Sequence, residues 1–350
     1  MNVDEFGYLI DNCGLKTMDG GKHVFFQPIK SRSEKTVQKI VKENHLENLS
    51  IEEMNPIFQK YYPLYQSKKE LMAHQFSSMS PQQTADLPIE KKLEYMESLF
   101  FASQTVENLV NVCKKNEENI RACLFHMDFP QSFWEAEKKL ADRYVALIAT
   151  QPEITDKMKD WGNTTLEEKK EVVAKAAEVF EHVYGIKVDF DFFSPEEERA
   201  KNRAKGLPED THINGGQQSG HKISFNEERL QEGDNFFAVS VLFHEATHIR
   251  QEFETFEDPL VERIFNCRVD NAVYYEKARD DKKDIRYQDL YAMQPVEKHA
   301  HGLQEYVENE LIEKTGIRKM FGKEVDDEIK KIHNKTFSMA KLAQYHSLQK

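Results

Sequence analysis

Cysteine is scarce in this sequence, and the four cysteines it contains are far apart. No two of them are separated by only two residues, the spacing that a zinc ribbon uses. They are Cys13, Cys113, Cys123 and Cys267. We therefore expect reduced thiols in a cytosol-like compartment and neither a disulfide framework nor a zinc ribbon.

Long apolar runs and a secretory leader are also missing. The chain contains no run of about 18 apolar residues, the length that a helix needs to span a bilayer. Residues 1–6 are acidic and have neither a basic start nor an apolar core, so they do not predict a secretory signal. We expect a cytoplasmic protein without a membrane span, although export by a machine that reads no cleaved signal would leave the same sequence.

Clustered positive charge is a further absence. The 350 residues carry a formal net charge of −13 at pH 7, whereas binding to nucleic-acid phosphates requires clustered Lys and Arg. Nucleic acid is therefore not an expected partner. The length is sufficient for one large domain or two modest ones, and the oligomeric state is left open.

Helical patterns dominate the first part of the chain, and strands are predicted only later. Residues 31–150 have the periodicity of amphipathic helices, and the composition shifts at 151–163. We therefore predict an N-terminal helical domain over 1–155 and a second domain over 156–350. Alternation of apolar and charged residues from Ile186 to Phe192 and a run at 221–226 predict strands, which gives an α+β, predominantly helical protein.

The pattern that carries chemistry is His244-Glu245-Ala246-Thr247-His248. Residues four apart on a helix lie on one face, about 5–6 Å apart at Cβ, so His244 and His248 can direct their imidazoles at one ion. Glu245 can then reach a water on that metal and act as general base. The two turns before the pattern are apolar on nearly every face, which predicts a buried helix.

A catalytic zinc ion keeps three protein ligands, so a third one is needed. Glu254 has the metzincin spacing after His244, but Gln251 stands where that pattern requires a helix-breaking glycine. Glu262 and Asp270 lie near the spacing of thermolysin-like enzymes, without the residues that accompany a ligand there. These alternatives are open but disfavoured.

Glu297 is the favoured third ligand. It follows Pro295, which fits the first turn of a helix, and shares one face of that helix with Ala300. A small residue at Ala300 would let this helix approach the helix of the histidine pair closely. The competing interpretation is that Glu297 only favours the helix dipole from the first turn.

Together the two motifs resemble those of small gluzincin-type zinc metallopeptidases. The first is His244-Glu245-x-x-His248 after a strand, and the second is Tyr291-x-x-x-Pro295-x-Glu297-x-x-Ala300. The resemblance covers residues 160–315 and none of 1–150. It implies a zincin-like domain with a small sheet beside the metal helix, Zn2+ held by His244, His248 and Glu297, and hydrolysis of a protein or peptide substrate.

Such a peptidase also needs a second donor for the oxyanion. Tyr291 is the expected catalytic residue for this role, with Tyr287, His299 and His301 as alternatives. An extended substrate could pair with the strand at 223–226, and the glycine-rich residues 215–220 could form a lid or a plain flexible loop.

Two other functions stay open. The chain could be a non-catalytic helical interaction protein with a structural or vestigial metal site, although such a site has no use for Glu245. The metal could also be iron, or the hydrolysed bond could be of another kind, because residue types alone do not decide either point.

Overall fold

The computed structural model describes residues 1–18, 23–29, 33–101, 106–204, 206, 215–254, 256, 258–267 and 292–320. Within 100–101 and 106–110 it describes the backbone alone. Helices predominate in these ranges and two small sheets accompany them, so the expected predominantly helical α+β class is confirmed. Among the described helices, none has both the length and the apolar composition that a bilayer crossing requires.

The chain forms two compact units that are interleaved along the sequence. Unit 1 contains the described residues within 1–129, 252–267 and 292–295, and unit 2 contains those within 130–251 and 296–320. The domain boundary that composition predicts after residue 155 stays a prediction.

Unit 1 begins with alternating helices and short strands. Capping boxes at Ser50 and Ser80 each begin a helix, since each serine accepts a hydrogen bond from the backbone N–H three residues on. The strands pair antiparallel in the order β1-β2-β3. The elements are α1 (Val3–Asn12), β1 (Cys13–Met18), β2 (His23–Pro28), α2 (Glu34–Glu43), β3 (Leu49–Ser50), α3 (Ile51–Ser77), α4 (Pro81–Ala85), α5 (Ile89–Phe101), α6 (Val106–Lys115) and α7 (Glu117–Phe125).

Unit 2 carries the histidine pair. Its elements are α8 (Gln131–Ala149), α9 (Pro152–Lys159), α10 (Leu166–Tyr184), β4 (Asp189–Phe193), α11 (Glu196–Ala204), β5 (Gly216–Ser219), β6 (Lys222–Asn226), α12 (Glu227–Glu232) and α13 (Phe237–Phe253, in unit 2 up to Gln251). Two helices follow, α14 (Pro259–Asn266) in unit 1 and α15 (Pro295–Thr315), which lies in unit 2 from Val296 onward. A capping box at Thr165 begins α10, and Gly185 ends it with a φ of 70°.

The sheet of unit 2 has the order β4-β6-β5, in which β6 pairs parallel with β4 and antiparallel with β5. Residues 216–219 thus form a strand, where the sequence analysis expected a flexible loop or lid. Residues 223–226 belong to the central strand, so the expectation that a substrate pairs with their edge is wrong. Strand β5 lies at one edge of this sheet, and its residue Gly216 lies against Val241 and Glu245 of α13.

Aromatic packing holds α13 in the interior of unit 2. The Phe243 ring lies 4.9 Å from the Tyr144 ring and 5.5 Å from the Phe180 ring, measured between centroids. Val239, Leu242 and Phe243 are fully buried. The prediction of a buried helix before the histidine pair is confirmed.

Candidate metal centre

Helix α13 places the two histidines one turn apart on the same face. The Nε2 atoms of His244 and His248 are 3.1 Å apart. The side chains retain only 11% and 15% of their exposure. Two imidazole nitrogens therefore converge on one partly enclosed point, as the His-x-x-x-His spacing predicts.

Helix α15 brings a carboxylate to the same point. Glu297 Oε2 lies 3.7 Å from His244 Nε2 and 3.6 Å from His248 Nε2, and its side chain is 2% exposed. Ala300, one turn further along, is fully buried. The structure thus brings together the three side chains that the sequence analysis selected as ligands, although their binding of a metal stays a prediction.

The donor atoms fit a transition-metal ion. Bonds of about 2.0–2.1 Å to a tetrahedral ion place neighbouring ligand atoms about 3.3–3.4 Å apart, close to the 3.1, 3.6 and 3.7 Å observed. Glu297 Oε2 is buried and has no hydrogen-bond partner among the described residues. Burying such an oxygen without a partner is costly, and a cation removes that cost. Two imidazoles and a carboxylate suit Zn2+ and other first-row divalent ions.

His301 is a fourth side chain at this point, one turn after Glu297. Its Nε2 lies 3.9 Å from Glu297 Oε2, and its ring centroid is 4.4 Å from that of His244. His244, Glu297 and His301 offer ligand atoms that all lie within 4.8 Å of one another. His301 is 39% exposed, so it borders the solvent side of the cluster. Its position, i+4 from the favoured ligand, is the sequence signal that marks it as a site residue.

Glu245 lies between the histidine pair and strand β5. Its carboxylate accepts a hydrogen bond from the backbone N–H of Gln218. A Cβ on Gly216 would lie 2.7 Å from Val241 Cγ1 and 3.4 Å from Glu245 Cγ, so this strand approaches α13 as closely as only glycine allows. Burial raises the pKa of Glu245 to about 7 against the opposing charge of His248.

The pKa values of Glu297, His248 and His244 are shifted in different directions. Burial would raise the pKa of Glu297, but the charges of His248 and His244 hold it at about 2. Burial would lower the pKa of His248, but the Glu297 carboxylate raises it to about 9. The pKa of His244 is shifted in the opposite direction, because burial and the neighbouring histidines hold it well below the usual range. Without a metal, Glu297 and His248 form the charged pair.

The remaining predicted residues have other surroundings. Tyr291, Tyr287 and Asp270 lie outside the described residues. Glu262, an alternative third ligand, accepts a hydrogen bond from Tyr8 Oη at 3.1 Å. His299 contacts Gln251 through one ring nitrogen and Glu137 through the other. Because both of its nitrogens are engaged, His299 is not available as an oxyanion donor, and that alternative is wrong.

Sequence reasoning missed the polar side chains behind His248. Gln251 Oε1 lies 2.9 Å from His248 Nδ1, and Gln251 Nε2 lies 2.9 Å from His299 Nδ1. His299 Nε2 is 3.2 Å from Glu137 Oε2. Arg250 donates to both Glu137 oxygens, at 2.7 and 3.0 Å. These contacts form one connected chain of buried groups that ends on the imidazole of His248.

Comparison of the chain with models of protein families, with curated proteins and with solved structures finds no match in any of the three.

Proposed function

We propose that this protein is a zinc-dependent metallopeptidase of the gluzincin type, with a zincin-like domain within 156–350. His244, His248 and Glu297 would hold the ion. The observation that carries the proposal is the convergence of two Nε2 atoms and one carboxylate oxygen, 3.1 to 3.7 Å apart, in a nearly buried place. The resemblance of the two sequence motifs to those of gluzincin-type peptidases supports the same ligand set.

The chemistry divides between the ion and Glu245. A zinc ion bound by these three side chains supplies a Lewis acid that polarises a carbonyl and lowers the pKa of water toward about 7. Glu245 takes a proton from the attacking water and passes it to the nitrogen of the leaving amine as the C–N bond breaks. The backbone N–H of Gln218 orients the Glu245 carboxylate for both transfers.

The substrate would lie along β5. Asn226 N donates to Gly215 O at 2.9 Å, so in this antiparallel register the backbone groups of Gly216 and Gln218 point away from β6. Because the Gln218 N–H already donates to Glu245, an extended peptide would add to that side of the strand through main-chain hydrogen bonds to Gly216. Since Gly216 lies against Glu245, a peptide bound there would have its backbone beside the general base.

The first test compares Glu245→Gln with the parent in cleavage of an unfolded protein substrate. We expect at least about a hundredfold loss of rate, because general-base catalysis contributes about 10²–10⁴. Zinc content, measured by mass spectrometry, should be unchanged, since Glu245 is not among the three ligands. Glu254→Gln is the matched control and should cleave like the parent. Equal rates for the parent and Glu245→Gln would remove the general-base assignment.

A second candidate function has a specific observation in its favour. Four protein ligands make a closed, structural zinc site, and His301 lies near enough to be a fourth donor. A non-catalytic interaction protein with such a site is the alternative. Glu245 opposes it, because a closed site has no use for a base.

Replacement of His301 by Ala separates the two functions. The peptidase proposal expects unchanged zinc affinity and stoichiometry, because three ligands suffice, together with a lower cleavage rate if His301 donates to the oxyanion. If the parent protein cleaves no substrate and His301→Ala binds zinc much more weakly than the parent, the structural site is favoured. A competing chromophoric chelator measures the affinity.

A further inference from the structure

We propose that Gln251, His299 and Glu137 are positioning residues that hold the His248 imidazole with its proton on Nδ1, which leaves Nε2 to bind the metal. This inference rests on the proposed function. Its starting point is the hydrogen-bond chain behind His248, every member of which lies in unit 2. The proton positions along that chain follow from its two ends.

At the near end, the side-chain amide of Gln251 has only one possible orientation. Gln251 Nε2 lies 2.9 Å from the Val296 carbonyl oxygen, which can only accept. The amide nitrogen, which can only donate, must therefore face Val296, and the amide oxygen must face His248. Since that oxygen can only accept, the 2.9 Å contact requires a proton on His248 Nδ1.

The far end requires the same assignment. Arg250 binds both oxygens of Glu137, which keeps this carboxylate ionised and able only to accept. His299 must then donate from Nε2 and accept at Nδ1, where the second N–H of Gln251 arrives at 2.9 Å. The two ends agree, so each shared proton in the chain has one position.

Burial makes this arrangement hard to change. Gln251 is fully buried, His299 is 1% exposed and Glu137 is 3% exposed, so water cannot replace a lost partner without rearrangement. The rings of Phe133 and Trp134 lie 5.3 and 5.4 Å from the His299 ring and restrict its rotation.

The first measurement needs no variant. In zinc-loaded protein labelled with 15N-histidine, long-range proton–nitrogen correlation spectra should show His248 protonated at Nδ1 and bound through Nε2. The Nδ1 proton should exchange slowly with solvent, because the group that accepts it is buried. Zinc bound through His248 Nδ1 would overturn the inference while the peptidase proposal stands.

The second measurement compares Gln251→Met with Gln294→Met. Gln294 is also fully buried, and its amide atoms have no partner among the described residues, so the same substitution there leaves the chain behind His248 intact. We expect Gln251→Met to lower zinc affinity about 10–100-fold and to speed exchange of the His248 Nδ1 proton. Gln294→Met should do neither.

The outcomes separate the two proposals. If Gln251→Met folds and binds zinc as tightly as Gln294→Met, the positioning role is wrong and the peptidase proposal is unaffected. If the parent binds no zinc, the proposed function fails and this inference with it. If Gln251→Met does not fold, the spectra of the parent still decide the position of the proton.

Discussion

Each unit contains a cluster of charged side chains, and the two clusters differ in burial and in whether every carboxylate oxygen has a nearby hydrogen-bond donor. In unit 1, Lys69 Nζ lies 3.7 Å from Asp11 Oδ2 and 3.6 Å from Glu97 Oε2, and Arg263 Nη2 lies 3.0 Å from Glu97 Oε1. Tyr65 donates to Asp11 at 2.7 Å. Every carboxylate of this cluster has a donor, so packing and charge pairing explain it completely.

The cluster of unit 2 also contains paired charges, but one of its carboxylate oxygens has no hydrogen-bond partner among the described residues. Glu137 and Arg250 pair at one end, and the chain runs through His299 and Gln251 to His248. Beyond His248 stands Glu297, with a buried oxygen that no described residue satisfies. The charged His248 imidazole, with Nε2 3.6 Å away, compensates this oxygen in part, and a bound cation would approach it more closely. We interpret this difference as one between a structural network and a network that would support the proposed metal site.

The carboxylates of the two clusters also differ in exposure. Lys69 keeps only 9% of its side-chain exposure, but Asp11 and Glu97 keep 40% and 34%, so water still reaches both carboxylates if Lys69 is replaced. Glu137 and Arg250 keep only 4% and 3%. Partly exposed ion pairs contribute little to stability because water screens them. A buried pair behaves differently, since loss of one partner leaves an uncompensated charge.

The largest expected effect therefore comes from breaking the Glu137–Arg250 pair. Glu137→Met and Arg250→Met should each lower the free energy of unfolding by about 3–5 kcal/mol. The double variant should lose less than either single one, since no buried charge is left unpaired. Lys69→Met in unit 1 should lose about 1 kcal/mol or less. Urea unfolding at pH 7 measures all four variants. Equal losses for Lys69→Met and Glu137→Met would mean that the two clusters do not differ energetically.

In unit 2, local sequence patterns predict both helices that carry the candidate ligands. The apolar turns before His244 predict the burial of α13, and Pro295 predicts the start of a helix on which Glu297 and Ala300 share one face. Both predictions concern residues within a few turns of one another, where helix geometry fixes which side chains share a face. The convergence of α13 and α15 joins distant parts of the chain, and only the resemblance and the small residue Ala300 favour it.

Pairing between residues that are distant in the chain could not be predicted from local patterns. Glu137 and Arg250 are 113 residues apart, and a charged residue in an amphipathic pattern reads as solvent-facing until its partner is known. Strand β5 is the second feature that local patterns do not predict. Gly-Gln-Gln-Ser has low strand propensity, and it becomes a strand because β6 pairs with it and Gly216 fits against α13. Tertiary contacts decide both features.

The smallest expected effect is a difference in pH dependence between the clusters, with opposite signs. Burial would raise the pKa of Glu137, but the Arg250 charge and the His299 hydrogen bond hold it well below its usual range. The folded protein then binds fewer protons at this group than the unfolded chain, so its stabilising contribution is complete above about pH 4.3 and is lost as the pH falls. At Asp11, burial raises the pKa despite the charge of Lys69. The folded protein binds the proton more readily there, so acid favours it.

Unfolding by urea from pH 6 to pH 3.5 tests this difference with Glu137→Gln and Asp11→Asn, two neutral near-isosteres. The stability advantage of the parent over Glu137→Gln should shrink as the pH falls, by at most about 1.4 kcal/mol per pH unit below about pH 4.3. The stability of the parent relative to Asp11→Asn should instead rise as the pH falls, more weakly, because Asp11 keeps 40% of its exposure. Slopes of the same sign would show that the Asp11 carboxylate is held ionised in the same way as that of Glu137, and the electrostatic contrast between the two clusters would be lost.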